Sequence, residues 1–166
     1  MTVEERFGIQ FYLNPSAITC DGSRAAVEGA SRRIIASGRF GLDLLDMCSG
    51  VGTIGLGLLK RLGPNRLSSV SLADINVFNI LSARETIKLN GFVNARAYVS
   101  DGFHGLHALG PVDLAVGNPP HNPAPVLSQE MTPSLLGGFD SDWAFHKNFY
   151  SSVHSWLRPD GETWLL

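Results

Sequence analysis

The sequence predicts an α/β protein with a parallel sheet, and two observations predict it. Short apolar runs alternate with segments of helical periodicity along the whole chain. Successive apolar runs also end in a polar residue: Asp46, Asp74, Asp101 and Asn118. Strand–helix alternation yields parallel strands joined by right-handed crossovers. Ligands in such sheets bind at the carboxyl ends of the strands, near the point where the strand order reverses. A carboxylate at the end of a buried strand is costly unless something there uses it.

The elements follow in order. Residues 23–37, SRAAVEGASRRIIAS, carry Val27, Ala30 and Ile34 at helical spacing, and Gly38 suits a C-terminal cap. LDLLD (42–46) is a short apolar strand, and GTIGLGLLKRLG (52–63) is a helix stopped by Gly63-Pro64. SVSLAD (69–74) is the next strand. NVFNILSARETIKLNG (76–91) is a helix with Asn76 as N-cap and Asn90-Gly91 as its stop. ARAYVSD (95–101) and VDLAVGN (112–118) are the third and fourth strands, and the proline-rich NPPHNPAP follows. SDWAFHKNFYSSVHSWL (141–157) is an amphipathic helix, RPDGE (158–162) a turn and TWLL a last strand.

At 166 residues the chain is long enough for one domain with a sizeable core. It divides into an N-terminal lid and helix (1–38) and a sheet core (39–166). Its 44% hydrophobic and 17% charged content is that of a globular protein. No apolar run approaches the ~20 residues needed to span a bilayer. The acidic N-terminus lacks the basic and apolar regions of a signal peptide. A cytoplasmic location without membrane contact is therefore expected. Cys20 and Cys48 suit a reducing compartment and form no C-x-x-C pair. His104 and His107 have no further ligand at zinc-type spacing, so no metal is expected. His146 and His154 are expected on the surface of the last helix. The net charge of −2 argues against tight nucleic-acid binding.

Within DMCSGVGTIG (46–55), Gly50, Gly52 and Gly55 have G-x-G-x-x-G spacing. That spacing marks a dinucleotide site. An acid at the strand end followed by a glycine-rich loop also marks an S-adenosylmethionine (SAM) site. Asp74, 22 residues beyond Gly52, can take ribose hydroxyls in either. Three features favour SAM. Asp46, four residues before Gly50, would repel a pyrophosphate but not a cationic sulfonium. Asp101 can accept from an adenine amino group. The fourth strand runs into Asn118-Pro119-Pro120-His121. The cofactor residues are thus Asp46, Cys48, Gly50, Gly52, Asp74 and its neighbour Ile75, Asp101 and its neighbour Gly102, and Asn118. A catalytic role for the Cys48 thiol would need an activating base, and none is evident.

GNPPHN resembles the N-P-P-[YF] signature of amino-group methyltransferases. DMCSGVGTIGL and ADINVFNILSARETIKLNG are similar to the SAM loop and the ribose-binding strand and helix of HemK-type protein-glutamine N5-methyltransferases. VSDGF resembles their adenine contact. FYLNPSAI and LGGFDSDWAFHKNFY resemble their N-terminal segment and their L-x-G-G-x-D-G loop and helix. The likeness runs from about residue 11 to the end. It implies a Rossmann-like fold and methyl transfer from SAM to an amide or amino nitrogen, on a protein glutamine or a small planar metabolite. Asn118, Pro119, Pro120 and His121 are the implied catalytic residues. The Asn118 side-chain carbonyl and the Pro119 carbonyl would each accept an N–H of the target nitrogen.

Three departures qualify the likeness. His121 stands where the pattern has Tyr or Phe, which permits a differently polar acceptor or an acid/base role. Only about ten residues precede the resemblance, so the helical docking domain of the bacterial enzymes is not expected. The chain stops at about the fifth strand of a seven-stranded family sheet. An exposed apolar edge there is expected to pair with a partner or mark a fragment. The competing readings are a SAM-binding subunit without catalysis, a methyltransferase for nucleic-acid base amines, and an NAD-dependent oxidoreductase. The last lacks a Tyr-x-x-x-Lys pair.

Overall fold

The computed structural model describes residues 2–17, 23–123 and 139–165. It opens on an antiparallel hairpin, β1 (Thr2–Arg6) and β2 (Ile9–Leu13). Then come α1 (Ser23–Ala36), β3 (Leu42–Met47), α2 (Thr53–Leu62), β4 (Leu67–Asp74), α3 (Val77–Leu89), β5 (Ala95–Val99), β6 (Val112–Gly117), α4 (Ala144–Ser152) and β7 (Leu157–Leu165). Short 3-10 turns flank α4 on both sides.

The five strands of the main sheet are all parallel, in the order β5-β4-β3-β6-β7. The order reverses between β3 and β6, which places the ligand crevice at their carboxyl ends. Adjacent residues of β3 face opposite sides, as the period of two requires. Leu44 joins a core with Val27 and Ile34 of α1, Leu56 and Leu58 of α2 and Ile80 of α3. Leu45 and Met47 join a second core with Phe149 of α4, Val153, Phe103 and Leu106. The fold is therefore α/β and Rossmann-like, with helices on both faces.

Local signals explain most boundaries. Gly63 ends α2 with φ 76, its N–H donating to the Leu59 carbonyl. The Asn76 side chain caps α3 by accepting the Phe78 N–H at 2.9 Å. Three expectations change. The last helix is only Ala144–Ser152, because Asp142 and Trp143 both have positive φ. RPDGE is not a turn before the last strand but part of it. Val112 pairs with Leu157 while Leu114 pairs with Glu162, so the extra residues form a bulge inside β7. The N-terminal lid contains a hairpin, because Gly8 takes φ 68 between two strands. No helix among the described residues is long and apolar enough to cross a membrane. Cys20 and the Leu136-Gly137-Gly138 part of the family-like loop lie outside the described residues.

Candidate cofactor and acceptor site

The loops after β3, β4, β5 and β6 converge on a cavity of about 760 Å³. That size lies within the range of small-molecule sites. Cys48, Gly50, Asp74, Ile75, Asp101, Gly102, Asn118, Pro119, Pro120 and His121 all line it. Residues far apart in the chain thus share one wall, as their strand-end positions predict.

Asp74 organises the middle of this wall. Its Oδ2 accepts the Gly50 N–H at 2.8 Å, and its Oδ1 accepts the Asn76 N–H at 2.8 Å and the Asn79 side-chain amide at 3.2 Å. One carboxylate therefore ties the glycine loop to the start of α3. Burial pushes its pKa above the usual carboxylate range, against the pull of the Asn76 and Gly50 N–H groups and the Asn79 amide. Beyond it, Ile75 is 67% exposed, an apolar surface at the cavity wall. Asp101 is exposed at the rim, and its loop is held by the Ser100 hydroxyl, which donates to the carbonyls of Gly102 and His104.

Asp46 and Gly52 do not line the cavity. Asp46 is fully buried behind the loop, its Oδ2 accepting the Gly55 N–H at 2.8 Å. It seats the first turn of α2 and does not face a ligand, so it cannot discriminate SAM from a pyrophosphate by repulsion. Gly52 is a packing position: a Cβ there would lie 2.6 Å from Leu72 Cδ1. Cys48 has φ 55, and burial, then Asp74 and Asp46, push its thiol upward. It is not primed as a nucleophile.

At the other end of the cavity, Asn118 leaves β6 and is followed by the buried Pro119. Pro120 cannot donate a backbone N–H, and both rings restrict φ, so the carbonyls of this turn are held in place. His121 Nε2 lies 3.2 Å from Asn118 Oδ1. Phe139, Asp140 and Phe145 close this end. Asp140 was not among the sequence-predicted site residues, although it is the Asp of the family-like loop. It is 4% exposed and accepts the Phe145 N–H at 2.8 Å and His146 Nδ1 at 2.6 Å. Burial raises its pKa, but the His146 ring and the two backbone N–H groups outweigh that and hold it below the usual range. His146 was expected at the surface; its side chain is only 15% exposed because Asp140 draws it inward.

The methyltransferase small domain family model matches residues 21–165. The chain therefore belongs to that family: it is a methyltransferase domain, and its cofactor is S-adenosyl-L-methionine. No curated protein matches it by sequence. Among solved structures it resembles the T. thermophilus 16S rRNA N2 methyltransferase RsmC in complex with AdoMet and guanosine. There the TM-score is 0.68 and the identity 23%, over 99% of this chain and 40% of that one. It also resembles Trm5b from Pyrococcus abyssi, with TM-score 0.65 and 20% identity over 98% and 39% of the two chains. A third likeness is to ribosomal protein L11 methylase from Lactobacillus delbrueckii subsp. bulgaricus, with TM-score 0.59 and 18% identity over 91% and 63%. The chain thus spans about two fifths of the first two relatives and 63% of the third.

The residues present fit this cofactor. A half-buried carboxylate, Asp74, lies on the wall where ribose hydroxyls would be taken. Ile75 offers an apolar face for adenine, and no cationic side chain lines the cavity among the described residues.

Proposed function

We propose that the chain carries an N-methyltransferase that methylates an amide or amino nitrogen on a planar acceptor, a protein glutamine or a small metabolite. The observation that carries this reading is the Asn118-Pro119-Pro120-His121 turn, which shares one cavity with Asp74. When bound, the cofactor supplies an electrophilic methyl group on a sulfonium. The protein's part is then largely alignment. A conjugated nitrogen is a weak nucleophile because its lone pair is delocalised. Two acceptors, Asn118 Oδ1 and the Pro119 carbonyl, would hold its two N–H groups and aim the lone pair. Phe139, Phe145 and His121 offer ring faces against which a planar acceptor packs.

A nucleobase with an exocyclic amine presents the same two N–H groups and the same flat face, and it is the second reading. The ring-lined end of the cavity favours it as much as an amide. The net charge of −2 opposes it.

Calorimetry with SAM, S-adenosylhomocysteine and NADH tests the cofactor half. SAM binds, NADH does not, and Asp74→Ala weakens SAM about a hundredfold or more, since it removes hydrogen bonds to a charged acceptor. Transfer of labelled methyl to a glutamine peptide, to planar amides and to nucleosides tests the acceptor half. Asn118→Ala is expected to abolish transfer while SAM still binds. Transfer that survives Asn118→Ala would overturn the role of the N-P-P turn.

A further inference from the structure

A line of polar side chains runs from the protein interior to the acceptor end of the cavity. At its root is the buried Asp140, whose two oxygens accept the backbone N–H groups of Phe145 and His146 and the His146 ring at Nδ1. A carboxylate with this set of donors locks the His146 ring in place and assigns it the Nδ1–H tautomer when neutral. Trp143 and Phe145 meet the same ring edge-on, at centroid distances of 5.0 Å and 6.1 Å. The His146 ring packs against His121 at 5.6 Å and 51°. His121 Nε2 in turn meets Asn118 Oδ1 at 3.2 Å. A carboxamide oxygen only accepts, so this contact is a hydrogen bond when His121 carries its proton on Nε2. The His121 tautomer thus decides which way the Asn118 amide faces, because an Nε2 without its proton would instead accept from the NH₂ end.

We propose that Asp140 and His146 are positioning residues for the methyl acceptor: the pair fixes by packing where the His121 ring sits, with its Nε2 at Asn118, and His121, as the Nε2–H tautomer, turns the carbonyl of Asn118 to receive the target N–H. The proposal rests on the acceptor reading of Asn118. It accounts for a histidine where the N-P-P-[YF] pattern that the turn resembles has Tyr or Phe. A phenol or phenyl ring can stack, but only an imidazole here both stacks and orients the neighbouring amide from a fixed ring nitrogen. It also predicts that selectivity for acceptors with two N–H groups is set in part from α4, outside the N-P-P turn.

Long-range proton–nitrogen spectra of the 15N-labelled chain test it without any acceptor. In the parent protein the His121 ring shows a protonated Nε2 and an unprotonated Nδ1. His146→Ala and Asp140→Asn are both expected to average the two His121 nitrogens and to move the Asn118 side-chain amide signal. SAM affinity, measured on the same samples, stays within about threefold. Should His146→Ala fail to fold, His146→Gln keeps a donor for Asp140 while removing the ring, and gives the same comparison. His121 signals unchanged by loss of the His146 ring would overturn the proposal. So would a SAM affinity that falls tenfold or more in step, since that marks a general role in cavity shape. A parent protein that fails to bind SAM at all overturns the cofactor reading instead, and leaves the tautomer comparison intact.

Discussion

Two aspartates at neighbouring strand ends do different work because of where their oxygens point. Asp74 faces the cavity and gathers three donors, so it both shapes the loop and lines the cavity wall. Asp46 faces inward, and only one of its oxygens is satisfied among the described residues, by the Gly55 N–H. Burial, opposed by the Gly55 N–H and reinforced by Asp74, raises the Asp46 pKa to about 7. The folded state therefore holds its proton more tightly than the unfolded state, where the ordinary value is 3.8. This group's contribution to stability is complete below pH 3.8 and is lost as pH rises through about 7. Asp140, with its lowered pKa, acts in the opposite sense at the acid end. Thermal melts of the parent and of Asp46→Asn between pH 4.5 and 7.5 check this. The parent is expected to lose melting temperature with rising pH more steeply than the variant, whose amide does not titrate.

At the level of elements, the site depends on backbones that approach each other closely. Gly117 is the last residue of β6, and a Cβ there would lie 2.5 Å from the Met47 carbonyl oxygen of β3. That atom is backbone, so strands β3 and β6 would have to part at the position from which Asn118 departs. Gly55 is less demanding, because its nearest neighbours are the side chains of Leu72 at 2.6 Å and of Asp46 and Val70 at 3.1 Å. Gly29, in α1, has nothing within 4 Å. Urea titrations should rank the three alanine variants accordingly. Gly117→Ala is expected to cost about 3 kcal/mol and Gly55→Ala about 1–3 kcal/mol from overpacking. Gly29→Ala should gain about 0.5–1 kcal/mol from helix propensity.

Over the whole molecule, contacts between distant segments close the fold at both ends. Arg158 of β7 donates to Asp43 of β3 and Asp113 of β6, Arg39 joins Asp113, and Ser68 and Ser69 donate to Asp43. These groups lie at the amino ends of the strands, away from the cavity. The N-terminal hairpin docks in another way. The backbone N–H groups of Gln10, Tyr12 and Asn14 donate to the side chains of Asn90, Thr86 and Ser82. Four residues of helix rise about 6 Å, close to the rise of two residues of strand, so the two rows stay in step. The helix side chains thus satisfy a strand edge that would otherwise be open. Thr86 is fully buried. Thr86→Val keeps its shape but leaves the Tyr12 N–H without an acceptor, and should cost about 1–3 kcal/mol. Chemical denaturation checks the cost, and hydrogen exchange at the Tyr12 amide should quicken before global unfolding.

Much of this was legible in the sequence because it is local or periodic. The apolar alternation, the caps at Asn76 and Gly63, and the polar strand ends placed four loops on one cavity. The N-P-P turn, singled out by its pattern, lines the same cavity. What local patterns could not supply is direction and partnership. Whether an aspartate at a strand end faces a ligand or a helix depends on which side of the loop its rotamer takes, and Asp46 and Asp74 differ only there. The bulge within β7 is set by its register against β6, not by the turn-like composition of RPDGE. Asp140 lay in the loop of the resemblance without an assigned role, and His146 was expected at the surface. They join the site because Phe149 packs α4 onto one face of the sheet, into the core with Leu45 and Met47, and packing of that kind is a property of the folded chain alone. The sequence by itself determined the α/β class, the strand-end loops and the glycine turn, since these follow from residue periodicity and backbone preference. Only the tertiary structure decided which carboxylates face the cavity and which histidines meet each other, since those choices rest on burial and on contacts between residues far apart in the chain.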